Sequence, residues 1–133
     1  MAPFALSKTA AELMIASGFG RLIMISSIQG LLGRRGDAAY ITAKGGMHAL
    51  TRALTAEYGR FGVTCNAIAP CTFATETNAE TLANPAALAL AKQRTFFGQP
   101  HENAGSAVFL AYDAAAYGTG AILPVDGGWS ATL

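Results

Sequence analysis

The spacing of apolar positions divides the chain into alternating helices and strands. Leu6, Ala10, Leu13, Met14 and Ser17 recur at helical intervals after Pro3, which suits a first helical turn, and Gly18 marks the stop. Arg21 to Ser26 is a short apolar run with strand character. Ser27 to Ala39 holds Gly30, Gly33 and Gly36 and predicts a loop. Between Tyr40 and Tyr58, Met47, Leu50, Leu54 and Tyr58 form one helical stripe, and Ala43, Gly46, Ala49 and Ala53 form a smooth one beside it. Val63 to Ile68 predicts a second strand, broken by Pro70. Ala79 to Arg94 predicts a helix whose start Pro85 can reset, Pro100 to Asp113 another, and Gly120 to Val125 a third strand closed by the turn Asp126-Gly127-Gly128.

The resulting order is helix–strand–helix–strand–helix–helix–strand. Strands separated by helical crossovers imply a parallel sheet with helices on its faces, so the fold class is α/β. Adjacent Gly45 and Gly46 weaken a helix by about 1 kcal/mol each relative to alanine. Close approach of another helix or of a ligand would offset that cost. No internal repeat, low-complexity segment or linker interrupts the pattern.

Composition adds one constraint. Hydrophobic residues make up 52% of the 133 positions and charged residues 13%, against about 25% charged in an ordinary soluble domain. That balance excludes intrinsic disorder and leaves an apolar exterior of the kind that marks interfaces. The net charge of +1 offers no electrostatic reason to expect nucleic acid or an anionic membrane as partner. Glu12, Arg21, Arg34, Lys44, Arg52, Glu57, Arg94, Glu102 and Asp113 interrupt every candidate membrane span. Lys8 and Glu12 fall where a secretion signal would have its apolar core. Cys65 and Cys71 match no metal or redox spacing, so no metal is expected and the chain reads as soluble and cytoplasmic with free thiols.

Tyr40 and Lys44 stand four apart at the start of a helix and share a face. A phenol is a poor base at neutral pH, but a neighbouring ammonium favours the phenolate and makes Tyr40 a credible acid/base. Alone, the pair is equally well a helical surface pair. Ser27 sharpens it, lying thirteen residues earlier and just past the first predicted strand. Ligands of open α/β sheets bind outside the carboxyl ends of the strands. A hydroxyl there could bind a substrate oxygen while Tyr40 transfers the proton.

Ile25-Ser26-Ser27, Tyr40-x-x-x-Lys44, Asn66-Ala67-Ile68-Ala69-Pro70 and Val125-Asp126-Gly127-Gly128 resemble the short-chain dehydrogenase/reductase family, in that family's order and near its spacing. The resemblance runs over essentially the whole chain. It implies a Rossmann-like doubly wound parallel sheet, of which about three strands and their helices would lie here. It also implies reversible hydride transfer between NAD or NADP and an alcohol or ketone. Carried over, Ser27 orients the substrate, Tyr40 is the acid/base, and Lys44 assists the phenol and holds the nicotinamide ribose. Pro70, the backbone of Phe73 and the hydroxyl of Thr75 match positions at the nicotinamide end of the cofactor. Arg34 and Arg35 lie in the loop that lines the substrate pocket in relatives; they could bind an anionic substrate or simply belong to a solvated loop. The run Phe73-Ala74-Thr75-Glu76-Thr77-Asn78 is similar to gluconate 5-dehydrogenase-like members, which would suit a sugar acid or polyol.

The departures concern the front of the chain above all. The family's glycine-rich phosphate loop, its coenzyme-selecting residue and its active-site asparagine have no counterpart. Gly18-Phe19-Gly20 precedes a strand instead of following one, so it cannot cradle a pyrophosphate at a helix N-terminus. Residues 1–133 are therefore expected to form a single partial domain lacking the N-terminal dinucleotide-binding half. Cys71 stands where the family usually has glycine and could crowd the cofactor or act as a reactive thiol. The stretch Thr95-Phe96-Phe97-Gly98-Gln99-Pro100 reads as shorter than its equivalent in many relatives. His48 is expected to be a packing or surface residue, His101 the start of a helix, and Cys65 a buried thiol.

Two functional readings follow. In one, the chain belongs to an NAD(P)-dependent oxidoreductase acting on a small alcohol or ketone. In the other, it is a catalytically inactive part of such an enzyme, at most a self-associating or partner-binding module. A homo-oligomer is expected either way, because the Ala- and Gly-rich face is smooth and the resemblance implies association through the long helices and the last strand. The first strand would also lack its usual neighbour and leave an edge open to pairing.

Overall fold

The computed structural model describes residues 2–73, 75–96 and 104–131. Five α-helices and three strands appear among them: α1 (Ala2–Ser17), β1 (Gly20–Ile25), α2 (Ala38–Tyr58), β2 (Val63–Pro70), α3 (Ala79–Ala83), α4 (Pro85–Arg94), α5 (Ala104–Ala111) and β3 (Ile122–Val125). The sheet is parallel with β2 in the middle. Its register runs from Gly20↔Val63 to Ile25↔Ile68 and from Ala67↔Ile122 to Pro70↔Val125. This is the α/β arrangement that the helix–strand alternation predicts.

Each face of the sheet has its own core. On one side Leu22, Met24, Val63, Cys65 and Ala67 pack with Ala11 of α1 and Leu54 of α2, joined by Met47, Leu50 and Tyr58 of the predicted stripe. On the other, Ile68 packs with Leu110 of α5 and with Ala115, flanked by Ile23, Leu123 and Val125. Residues 63–69 of β2 are all buried, because both of its faces are covered; a strand in that position has no reason to alternate. Pro70 does not break this strand but ends it, opposite Val125. That is compatible with its missing N–H, because the ladder is nearly finished there.

Helix α1 differs from expectation in the face it buries. Ser7 and Ala11 point inward, while Leu6 and Leu13 are 72% and 73% exposed. Small residues let the helix approach the sheet closely: a Cβ on Gly20 would fall 2.6 Å from Met14 Cβ. Gly18, at φ 69°, ends α1 in the left-handed conformation, with Gly18 N–H donating to Ile15 O and Phe19 N–H to Met14 O. The predicted helix over 79–94 is two helices, with Asn84 Oδ1 accepting from Ala86 and Ala87 N–H to cap the second. The helix expected over 100–113 is observed as Ala104–Ala111; Pro100 and His101 lie outside the described residues, as do Phe97, Gly98 and Gln99. The third strand begins at Ile122, two residues later than the sequence pattern suggests, because Asn66 takes up the backbone before it.

Asn66 is 1% exposed in the centre of β2. Its Nδ2 donates to Gly118 O at 2.8 Å, and its Oδ1 accepts from Ala121 N–H at 3.0 Å. One side chain thus pins the chain as it returns to enter β3.

Among the described residues, β1 pairs only with β2. The Ala43, Gly46, Ala49 and Ala53 face of α2 is exposed. No helix among the described residues is long and apolar enough to cross a membrane.

The turn after β3 is held by Asp126, whose carboxylate accepts from Gly128 N–H at 3.0 Å and Ser130 N–H at 2.7 Å. Burial pushes this carboxyl up, but bonds from the Ser130 hydroxyl and N–H and the Gly128 N–H outweigh it and hold the carboxyl below its ordinary 3.8. A lowered folded-state value means that the stabilisation is present above the unfolded value and lost as pH falls through the folded one. The thermal midpoint of the wild type is therefore expected to drop as pH falls below 3.8, and that of Asp126→Asn to drop less. Parallel profiles for the two proteins would show that the carboxylate contributes nothing there.

Candidate active site

In a parallel sheet all carboxyl ends point the same way, so the segments leaving β1 and β2 open onto one side of the molecule. The segment after β1 starts with Ser26, whose N–H continues the ladder to Ile68 O at 2.7 Å. Ser27 follows, 8% exposed, and caps a short 3-10 turn over Ile28–Gly30 by accepting from Gln29 N–H at 3.2 Å. That bond leaves the proton of its hydroxyl free to donate elsewhere.

Helix α2 brings the other two groups. Lys44 Nζ donates to Ile25 O at 3.1 Å, tying the helix to the last residue of β1. The same ammonium lies 5.6 Å from the centroid of the Tyr40 ring, as expected of residues one turn apart on a shared face. Tyr40 is 48% exposed, and its hydroxyl has no partner among the described residues. Ser27 and Tyr40 flank the Lys44 anchor without hydrogen-bonding to each other.

The segment leaving β2 carries Pro70, Cys71, Phe73 and Thr75. Cys71 N–H donates to Val125 O at 3.2 Å, extending the β2–β3 ladder by one residue. The Phe73 carbonyl accepts from Thr75 N–H at 2.9 Å and from Asn78 Nδ2 at 3.0 Å, so Asn78 holds this backbone in place. Thr75 is exposed. Burial pushes the Cys71 thiol up, with the Asp126 charge adding to the effect and bonds with Thr72 opposing it. Cys65 is pushed up to about 11 by burial. Thiolate chemistry is disfavoured at both positions.

Arg34 and Arg35 sit on the loop before α2. Arg34 Nε is 3.3 Å from Asp37 Oδ2. The Gln29 amide, oriented to satisfy both neighbours, donates to Asp37 at 3.2 Å and accepts from Arg34 Nη1 at 3.1 Å. An anion at Arg34 would compete with Asp37, whereas Arg35 is exposed without such a partner. No group of three or more His, Cys, Asp or Glu among the described residues could hold a metal ion.

His48 takes the packing role, the first of the two expected for it, and adds a polar contact. It is 3% exposed, and its Nε2 lies 2.8 Å from Ser26 Oγ. Burial lowers its basicity, a bond with the Gly30 backbone opposes this, and the charges of Arg52 and Lys44 lower it further. Its position one turn after Lys44, on the face that carries Tyr40, was the available sequence signal.

Known proteins are similar to this chain in sequence and in fold. Residues 1–130 match the family model described as enoyl-(acyl carrier protein) reductase. The chain is 38% identical over 130 residues to L-rhamnose 1-dehydrogenase (NAD(P)(+)) of a Sphingomonas species, covering 95% of this chain and 51% of that protein. It is 36% identical over 135 residues to gluconate 5-dehydrogenase of Gluconobacter oxydans, covering 99% and 53%. The crystal structure of a gluconate 5-dehydrogenase from Burkholderia cenocepacia, in complex with NADP and tartrate, superposes with a TM-score of 0.94 at 34% identity, over 98% of this chain and 52% of that one. The chain thus spans about half the length of these relatives. With the family model matched from end to end of the sheet and the same backbone path in a solved dehydrogenase, the chain belongs to the short-chain dehydrogenase/reductase family.

Proposed function

We propose that this chain supplies the catalytic half of an NAD(P)-dependent oxidoreductase that interconverts an alcohol and a ketone on a sugar acid or polyol. The observation carrying this reading is the Lys44 ammonium, bonded to Ile25 O at 3.1 Å beside Ser27 and 5.6 Å from the Tyr40 ring. Lys44 thus links Tyr40, one turn away on α2, to the end of β1, two residues before Ser27. Relatives named for rhamnose and gluconate oxidation, and one holding NADP and tartrate, support the substrate class and coenzyme.

The residues present fit the nicotinamide-ribose end of the cofactor. Lys44 spends one of its three N–H groups on Ile25 O, and the hydroxyls of Tyr40 and Thr75 have no partner among the described residues. Lys44 would hold the ribose, and Pro70, the Phe73 backbone and Thr75 the carboxamide side. A bound nicotinamide would supply or accept the hydride. Ser27 donates its free proton to the substrate oxygen and orients it. Tyr40 gives its phenolic proton to that oxygen in reduction and takes it back in oxidation. Arg35 is the better placed of the two loop arginines to meet a substrate carboxylate.

The phosphate end finds no such cradle, since Gly18-Phe19-Gly20 leads into β1 and not out of a strand. Residues 1–133 are accordingly read as part of such a domain, the half that carries the proposed catalytic groups. A second reading, an inactive self-associating module, draws on β1, which pairs on one edge only among the described residues, and on the exposed Ala43–Gly46–Ala49–Ala53 face. Two free thiols suit a cytoplasmic setting.

Two measurements test the proposal. Fluorescence titration of the purified chain with NADPH is expected to show no saturation at micromolar concentrations; tight binding would sink the half-site reading. Fusion to the part of the Burkholderia relative that this chain does not cover is expected to restore NADP-dependent oxidation of a sugar acid. A folded fusion without turnover would favour the inactive module.

A further inference from the structure

His48 makes contacts that neither core packing nor the proposed proton transfer requires. A leucine would fill its place on α2 without burying two ring nitrogens. The ring instead lies between the two ends of the segment that carries Ser27. Nε2 is 2.8 Å from Ser26 Oγ on one side. On the other, Gly30 presses against the ring: a Cβ built on Gly30 would fall 2.5 Å from His48 Cε1 and 2.9 Å from His48 Nδ1. That Cβ would also lie 2.9 Å from the Lys44 carbonyl carbon, so only glycine lets the segment come this close to α2. Ser26 Oγ also lies 3.2 Å from the Lys44 carbonyl, a second acceptor on α2 within reach of the same hydroxyl proton.

We propose that His48 is a positioning residue: by holding Ser26 and Gly30 on either side of its ring, it fixes Ser27 against the helix that carries Tyr40 and Lys44. The consequence for turnover rests on the Ser-Tyr-Lys reading above; the consequence for Ser27 does not. The proton inventory makes the arrangement directional. With its proton on Nδ1, on the side of Gly30, neutral His48 presents the Nε2 lone pair and accepts a hydrogen bond from the Ser26 hydroxyl. Protonation would turn Nε2 into a donor and swing the Ser26 hydroxyl proton toward the Lys44 carbonyl. The charged groups facing the ring are Lys44 and Arg52, both on α2 and both favouring its neutral form; residues 25–30 bring none.

The test uses the chain itself, by NMR. Long-range proton–nitrogen spectra at neutral pH are expected to show His48 neutral with the proton on Nδ1. As pH falls, Ser26, Ser27 and Gly30 amide signals are expected to move with the His48 ring, at a midpoint below 6.5. The Gln29 amide, which bonds to Ser27 Oγ, reports the serine's setting. Its hydrogen exchange is expected to quicken about tenfold in His48→Leu, which keeps bulk but loses both ring nitrogens. His48→Gln, which can still donate and accept, should recover most of that protection.

A leucine variant with wild-type Gln29 protection and Ser27 shifts would overturn the proposal. If that variant does not fold, titration of the wild type decides: a ring that titrates without moving Ser26, Ser27 or Gly30 overturns it equally. Failure of the Ser-Tyr-Lys reading would look different, because Tyr40→Phe would then leave turnover of the fused enzyme unchanged while the coupling of His48 to Ser27 persisted.

Discussion

Replacing Asn66 with alanine is expected to remove about 1–3 kcal/mol of stability, because a fully buried side chain loses two hydrogen bonds at once and each is worth about 0.5–1.5 kcal/mol net. The partners are the Gly118 carbonyl and the Ala121 N–H, held at 2.8 and 3.0 Å. No neighbouring side chain stands ready to replace Asn66, since the adjacent Thr119 hydroxyl is already engaged with Thr55 and with Cys65 N–H. Domains of this size hold about 5–15 kcal/mol in total, so the variant should unfold at lower urea. Equilibrium urea denaturation followed by circular dichroism measures the loss directly. A change below about 1 kcal/mol would mean that the return into β3 has other means of satisfying its backbone.

Tyr40→Phe is expected to lower turnover of the fused enzyme by about 10²–10⁴-fold, the usual range for loss of a positioned proton donor. The ring and its contact with the Lys44 ammonium remain in the variant, so the effect isolates the hydroxyl. Because that hydroxyl is bonded to nothing else among the described residues and Tyr40 is half exposed, stability should change by only about 0.5 kcal/mol or less. Coenzyme affinity, measured by NADPH fluorescence, should change far less than kcat. A rate within threefold of wild type would remove Tyr40 from the chemistry and with it the proposed reaction.

The closeness of the proposed site residues was readable before any coordinates, for a reason particular to the site's construction. Tyr40 and Lys44 belong to one helix, so their relation depends only on helical periodicity. Ser27 follows a strand whose direction was implied by the alternation of elements. His48 escaped because its importance lies in what comes to meet it from another segment. Gly30 was read as one of several loop glycines, whereas the structure requires it for close approach to the ring and to the helix backbone. The buried face of α1 was misjudged for a related reason. Hydrophobicity favoured Leu6 and Leu13, but closeness to the sheet selected Ser7 and Ala11. Pro70 was taken as a break because a missing N–H matters only where a partner strand asks for it, and that depends on where the pairing stops.

Every rung of the sheet joins residues far apart in the chain. Gly20 meets Val63, and Ala67 meets Ile122, with no hairpin to bring any two strands together early. Such contacts are reached only after long loops have closed, so folding is slow relative to that of a helical bundle of equal length. During that interval the central strand, apolar at Val63, Cys65 and from Ala67 to Pro70, has no partner on either side. The same parallel topology that gathers Ser27, Tyr40 and Lys44 at one end of the sheet therefore makes the nascent chain dependent on dilution or chaperones, and places its greatest aggregation hazard in β2 before the native sheet exists.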